Sequence, residues 1–286
     1  MFKSISYPGG NTAILLFHGL SSSPLELLML GRGLQRAGYS VYLPYLPGYG
    51  DDGQGRHRHI TDSQDWVRQA VDEFDRVRER HEHVIVGGLC IGATLALQLA
   101  ALRDDKIAGI IAMSVTLMYD GWSLPWYRIL LPLAAHVPFG ERYSFREGAP
   151  YGVKDERMRS WIAREMNHAE SSMAGSSTLS ARSLIEARRL YLSVRNALPS
   201  IEAPALILHA IEDEMSSPRN AEYVLRHLGS RDSRLVMLRD SYHMITLDRE
   251  KDRVLDEIRH FLASIAIKKR EKPAATGLVV SIANAR

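Results

Sequence analysis

The chain has 286 residues, 45% of them hydrophobic and 24% charged, an ordinary globular composition that excludes a disordered or fibrous chain. Its net charge of +3 is too small to point to nucleic acid as a partner. The single cysteine, Cys90, excludes an intrachain disulfide and a cysteine-rich metal site. Residues 1–10 hold no apolar run of signal-peptide length, and no window of about 18 apolar residues occurs. A cytoplasmic chain without a membrane span is therefore expected.

The first apolar run, residues 13–17, ends at His18-Gly19 and suits a strand buried on both faces. A helical pattern over 24–37 opens at Pro24 and stops at Gly38. Residues 40–43 form a second strand. Thr61-Asp62-Ser63-Gln64 is a capping-box pattern. It opens a helix whose apolar residues Trp66, Val67, Ala70, Val71, Phe74 and Val77 recur at helical spacing. Residues 84–87 form a third strand, followed directly by a helix over 91–102. Further strands are expected at 107–113, 205–209 and 235–238, and further helices at 218–228 and 248–265. This alternation predicts an α/β fold, a mostly parallel sheet flanked by helices, built from residues 1–116 and 201–266. Residues 267–286 lack periodicity and read as a flexible tail.

Residues 117–200 break the rhythm, with helical patterns near 156–170 and 179–195 and no clear buried strand. The stretch starts just after a strand, so it is an insertion at the carboxyl edge of the sheet, where ligands bind in open α/β folds. It reads as a cap. Trp122, Trp126 and Tyr127 crowd one part of it with Ile129, Leu130 and Leu131, and are expected to line an apolar acyl pocket.

The third strand runs into Gly88-Leu89-Cys90-Ile91-Gly92, and a helix follows at once. This is a nucleophile-elbow pattern with cysteine at its centre. Gly88 and Gly92 support the elbow by removing side chains that would collide in a strained turn. The turn sets Cys90 at a helix N-terminus, where partial positive charge favours a thiolate. An elbow nucleophile needs a base and a group to orient that base. The loop after the fifth strand carries Glu212-Asp213-Glu214, of which Asp213 is the chosen acid. His243 lies in the loop after the sixth strand, the right place for the base. Backbone N–H groups of Leu20, in Phe17-His18-Gly19-Leu20, and of Ile91 are candidate donors to an oxyanion. His18 is read as a brace for its loop. No metal or cofactor signal is found.

Together these pieces resemble the α/β-hydrolase superfamily, and most closely its small carboxylesterase and monoacylglycerol-lipase branch. The matching segments are 17–20, Leu46-Pro47-Gly48-Tyr49-Gly50, 88–92, the Asp213 loop through Pro218, and His243-Met244-Ile245-Thr246-Leu247-Asp248. Most members carry serine where this chain has Cys90. A cysteine elbow is similar to that of dienelactone hydrolases and polyhydroxyalkanoate synthases. The resemblance implies a hydrolase that cleaves a small-molecule ester or thioester of a small or medium acyl group through a Cys90 acyl-enzyme, with no cofactor. The alternative is an acyltransferase that passes the acyl group to an alcohol or amine.

Overall fold

The computed structural model describes residues 3–49, 60–124, 143–146, 148–168, 171–172, 175–176 and 178–271. Its strands are β1 (Ile5–Tyr7), β2 (Thr12–Phe17), β3 (Ser40–Leu43), β4 (His83–Leu89), β5 (Ile107–Met113), β6 (Ser144–Arg146), β7 (Ser171–Ser172), β8 (Gly175–Ser176), β9 (Thr178–Ser180), β10 (Ala205–Ala210) and β11 (Ser233–Leu238). Seven of them form one sheet in the order β1-β3-β2-β4-β5-β10-β11. Every pairing in it is parallel except β1 with β3, which closes one edge antiparallel. β1 went unread because three residues of partial burial are too short for a period-two signal. The small pairs β6–β9 and β7–β8 add strands to the 117–200 stretch.

The central strands are apolar throughout because both faces are covered. Along β2, Ala13, Leu15 and Phe17 enter one core, while Ile14 and Leu16 enter the other. The helices are α1 (Leu28–Arg36), α2 (Ser63–Arg78), α3 (Ile91–Arg103), α4 (Glu156–His168), α5 (Ala181–Ala197), α6 (Arg219–His227) and α7 (Lys251–Glu271). Apolar residues of α2, α3, α5 and α6 share one core, and those of α1, α4 and α7 the other. α5 falls in the stretch read as a cap, yet its Ala187, Leu190, Tyr191 and Val194 pack into the same core as α3.

Three local expectations need correction. The cap of α2 is Asp62, which accepts the Asp65 N–H at 2.8 Å, rather than a Thr61–Gln64 box. Thr61 instead turns its N–H to the Gly48 carbonyl, 3.1 Å away. The helix expected from Pro24 opens as a 3-10 turn over Pro24–Leu27 before α1 begins. The last helix starts at Lys251 and runs to Glu271, so residues 267–271 of the expected tail are helical. The rest of that tail lies outside the described residues.

All the parallel strands point their carboxyl ends the same way. The register sets Gly88 of β4 opposite Phe17 of β2 and Ala112 of β5. The loops after β2, β4, β5, β10 and β11 therefore converge on one edge, which carries Leu20, Cys90, Asp213, His243 and the start of α3. No helix among the described residues is long and apolar enough to cross a membrane.

Candidate active site

Cys90 sits between β4 and α3 with φ 59° and ψ −120°, a left-handed conformation that costs a non-glycine residue on the order of 1–3 kcal/mol. Its N–H is fixed by the Met113 carbonyl at 3.0 Å. A Cβ on Gly88 would overlap the Gly92 carbonyl carbon and the Phe17 carbonyl oxygen; one on Gly92 would overlap the Phe17 and His18 carbonyls. The two glycines thus admit the end of β2 as well as each other. α3 begins at Ile91, so its positive end meets the thiol.

Asp213 follows β10 and is 2% exposed. Its Oδ1 accepts the N–H groups of Met215 (2.9 Å) and Ser216 (2.8 Å), a short turn that locks the carboxylate. His243 follows β11, and its Nδ1 lies 2.9 and 2.8 Å from Asp213 Oδ1 and Oδ2. A carboxylate only accepts, so Nδ1 carries a proton. Nε2, on the far side of the ring, is buried and meets no well-aligned hydrogen-bond partner among the described residues, although the neighbouring Cys90 acts on His243 both by its charge and through a side-chain hydrogen bond. Burial alone would lower the His243 pKa. The charge of Asp213, Cys90 and the Asp213 hydrogen bond together raise it well above the ordinary value. Burial pushes the Asp213 carboxyl up, but His243 and His209 outweigh it and hold it below the usual carboxylate range. The His243 loop is fixed by Ser114 Oγ, which donates to the His243 carbonyl at 2.7 Å.

The loop after β2 lies against the nucleophile, since a Cβ on Gly19 would stand 3.5 Å from the Cys90 Cβ. Leu20 N–H and Ile91 N–H have no hydrogen-bond partner among the described residues. His18 is buried; the Leu46 N–H donates to its Nε2 at 3.5 Å, so Nδ1–H donates to the Gly19 carbonyl at 2.9 Å. Burial takes its pKa down to about 4, which keeps this brace neutral. Glu26, unremarked in the sequence, accepts the Gly19 N–H and the Ser22 hydroxyl, each at 2.5 Å.

The residues beside Asp213 divide sharply. Glu212 is exposed and pairs with Lys154 at 2.8 Å. Glu214 is buried, and its Oε2 accepts the His243 N–H at 3.1 Å. His209 is also buried, with Nε2 2.9 Å from the Ser216 carbonyl and 3.5 Å from Asp213 Oδ2. Trp122 is 61% exposed, packs edge-on against Tyr242 and donates its indole N–H to the Glu212 carbonyl at 3.1 Å. It stands beside the acid loop rather than inside an enclosed cavity. Trp126 and Tyr127 lie outside the described residues. Tyr49 and Tyr191, both buried, carry hydroxyls whose charge would couple to Cys90.

Glu214 carries a pH prediction. Burial pushes its carboxyl up to about 7. An acid whose folded pKa exceeds its unfolded value binds more protons when folded, so stability is lost as pH rises from about 4.5 to about 7. Glu214→Gln keeps an acceptor for the His243 N–H and removes the charge. In thermal melts from pH 5 to pH 8 the variant is expected to gain on the wild type with rising pH, by about 3 kcal/mol in all. A difference that does not vary with pH would count against an ionising buried carboxyl.

The profile of the family described as serine aminopeptidase, S33, matches residues 10–250. The chain is 27% identical over 257 residues to a thermostable monoacylglycerol lipase of Bacillus sp. (strain H-257), covering 90% of this chain and 92% of that one. It is 25% identical over 264 residues to a carboxylesterase of Bacillus subtilis (strain 168), covering 92% and 97%. A monoacylglycerol lipase of Paleococcus ferrophilus shares the fold, with a TM-score of 0.75 at 18% identity over 93% of this chain and 99% of that one.

Proposed function

The chain belongs to the serine aminopeptidase S33 family of α/β-hydrolases, and from that premise we propose that it hydrolyses carboxylic esters of small or medium acyl groups through an acyl-enzyme on Cys90. The observation that carries this reading is the 2.8 Å bond from Asp213 to His243 Nδ1. It leaves Nε2 buried and turned to the elbow cysteine, whose side chain acts on His243 by charge and hydrogen bond. The relatives named as a lipase and a carboxylesterase support the ester bond as the target.

In the first step His243 Nε2 holds the proton of the Cys90 thiol, the resulting thiolate attacks the ester carbonyl carbon, a C–S bond forms, and the carbonyl π electrons move to oxygen. The Leu20 and Ile91 amides donate to that oxyanion. Collapse breaks the bond to the alkoxy oxygen, which takes a proton from His243 Nε2, giving alcohol and a thioester. His243 then removes a proton from water, whose oxygen attacks the thioester. The Cys90 thiolate departs with the C–S electron pair and the acid is released. Asp213 holds the imidazole so that Nε2 is the nitrogen that exchanges protons.

The insertion is assigned as a cap in this reading. Its segment near 152–155 is tied to the His243 loop: the Gly152 carbonyl accepts the Met244 N–H at 2.7 Å, and Lys154 and Asp155 donate their N–H groups to the Asp248 carboxylate. The cysteine itself favours a second reading, because a thioester yields to amines more readily than an oxygen ester does. That reading is acyl transfer to an alcohol or amine.

The test is a series of p-nitrophenyl esters and acyl thioesters of rising length, with acid-quenched intact mass measurements during turnover. The expected result is multiple turnovers and one acyl mass on the peptide that contains Cys90. Turnover with the adduct on another residue would reject Cys90. An acylated added amine formed faster than free acid would favour transfer.

A further inference from the structure

We propose that Thr116 is a catalytic residue that donates a hydrogen bond to the Cys90 thiolate, with Ser216 positioning its hydroxyl from the Asp213 side. The proposal rests on the reading of Cys90 as the nucleophile. Thr116 Oγ1 lies 3.5 Å from Cys90 Sγ, a normal O–H···S separation. The same oxygen is 3.2 Å from Ser216 Oγ, and Ser216 Oγ is 3.4 Å from Asp213 Oδ2. Both hydroxyl residues are fully buried. A line of hydroxyls therefore joins the nucleophile to the acid without passing through His243.

The scaffold around Thr116 is over-determined. Thr94 Oγ1 donates to its carbonyl at 2.7 Å. The next two amides, Leu117 and Met118, donate to Asn220 Oδ1 at 2.8 and 2.7 Å. Two residues earlier, Ser114 N–H donates to the Leu208 carbonyl at 2.8 Å. The backbone cannot drift, so the hydroxyl rotor is the freedom that remains.

That rotor has three acceptors for one proton: Cys90 Sγ, Ser216 Oγ and the Ser114 carbonyl at 3.1 Å. When the sulfur is neutral, as a thiol or in the acyl thioester, it is a weak acceptor. The Thr116 proton then turns to Ser114 or Ser216, and Ser216 donates to Asp213. When the sulfur is a thiolate, a charge-assisted bond wins the proton. Ser216 then donates to Thr116 and polarises it toward the sulfur. Thr116 keeps its proton throughout; only the direction of the O–H bond changes. The bond is made as the thiolate forms before attack and again as it departs in deacylation. Among the described residues His243, Tyr49 and Tyr191 couple to Cys90 by charge, and His243 also by a hydrogen bond; the Thr116 hydroxyl is a separate contact to the sulfur.

The test is the pH profile of Cys90 alkylation by iodoacetamide in the full chain, for the wild type, Thr116→Val, Thr116→Ser and Ser216→Ala. Thr116→Val is expected to move the profile about one pH unit upward and slow alkylation about tenfold below its midpoint. Thr116→Ser should restore the wild-type profile, and Ser216→Ala should give a smaller shift in the same direction, about threefold. Ester turnover by Thr116→Val should fall in kcat, with KM little changed. Profiles of Thr116→Val and Ser216→Ala that both superimpose on the wild type would overturn the proposal. If Thr116→Val does not fold, Ser216→Ala alone decides in the same way. Alkylation is read whether or not the thiol turns substrate over, so a failed acyl-enzyme reading would show separately, as activity retained without Cys90.

Discussion

Cys90→Ala is expected to lower ester turnover by roughly four to six orders of magnitude, the size of loss seen when a covalent nucleophile is removed. Within the elbow only this side chain forms a bond to the substrate; alanine leaves the turn, the helix end and the oxyanion amides in place but gives the carbonyl carbon nothing to bond. Because Cys90 is the chain's single cysteine, one equivalent of a thiol alkylator should reproduce the loss with one modification per chain. Full activity in a stoichiometrically alkylated protein would reject the nucleophile. Cys90→Ser is a different case. A serine hydroxyl must be deprotonated by a neutral imidazole, whereas burial, Asp213 and Cys90 together leave His243 with a pKa well above the ordinary value. Serine removes one of the two charges that raise it. The serine variant should retain part of the activity, with a rate that climbs as pH rises and His243 loses its proton.

The sheet was legible because its strands are buried on both faces. β3 after Ser40 and β5 throughout show apolar runs, and their ends match the sequence reading. β2, β4, β10 and β11 gain one to three residues, including Thr12, His83, Ser233 and Arg234 at strand starts, which carry no apolar signal. Cys90, Asp213 and His243 were legible for a related reason. Each stands a few residues past a strand end, and a parallel sheet gathers strand ends at one edge. What stayed hidden was the interior of the loops. Glu212 and Glu214 are the same residue type two positions apart, yet one is exposed beside Lys154 and the other is buried under the His243 amide. Nothing local distinguishes them; the Asp213 turn sends their side chains in opposite directions. Thr116, Ser216, Glu26 and His209 are likewise polar residues whose burial depends on partners outside their own element, as with Thr116 and Ser216, 100 positions apart. A buried polar side chain has no sequence period of its own. It becomes visible only when its acceptors are found.

Asp213→Asn is expected to cost about four orders of magnitude in kcat/KM, the scale associated with losing a triad acid. The fold should survive, because an asparagine Oδ1 still accepts the Met215 and Ser216 amides that shape the turn. The damage falls on the other face of the side chain. Asp213 now accepts from His243 Nδ1 through both oxygens, at 2.9 and 2.8 Å. Asn Nδ2 puts a donor where Oδ2 accepted at 2.8 Å, which favours moving the imidazole proton to Nε2 even though Oδ1 stays near Nδ1. Nε2–H then cannot take a proton from the thiol or from water. The substitution also removes the charge that most strongly opposes the effect of burial on His243, which favours the neutral ring. Two controls separate this from a general disturbance of the loop. Glu212→Gln touches an exposed ion pair and should change turnover by less than twofold. Glu214→Gln keeps its acceptor for the His243 N–H, so its main effect should appear in the pH dependence of stability. Steady-state kinetics on the three variants, with thermal melts to establish folding, decide the matter. If Asp213→Asn stays within tenfold of the wild type while Glu214→Gln falls by orders of magnitude, the orienting acid is Glu214, and the 2.8 Å bond to Nδ1 does not serve turnover.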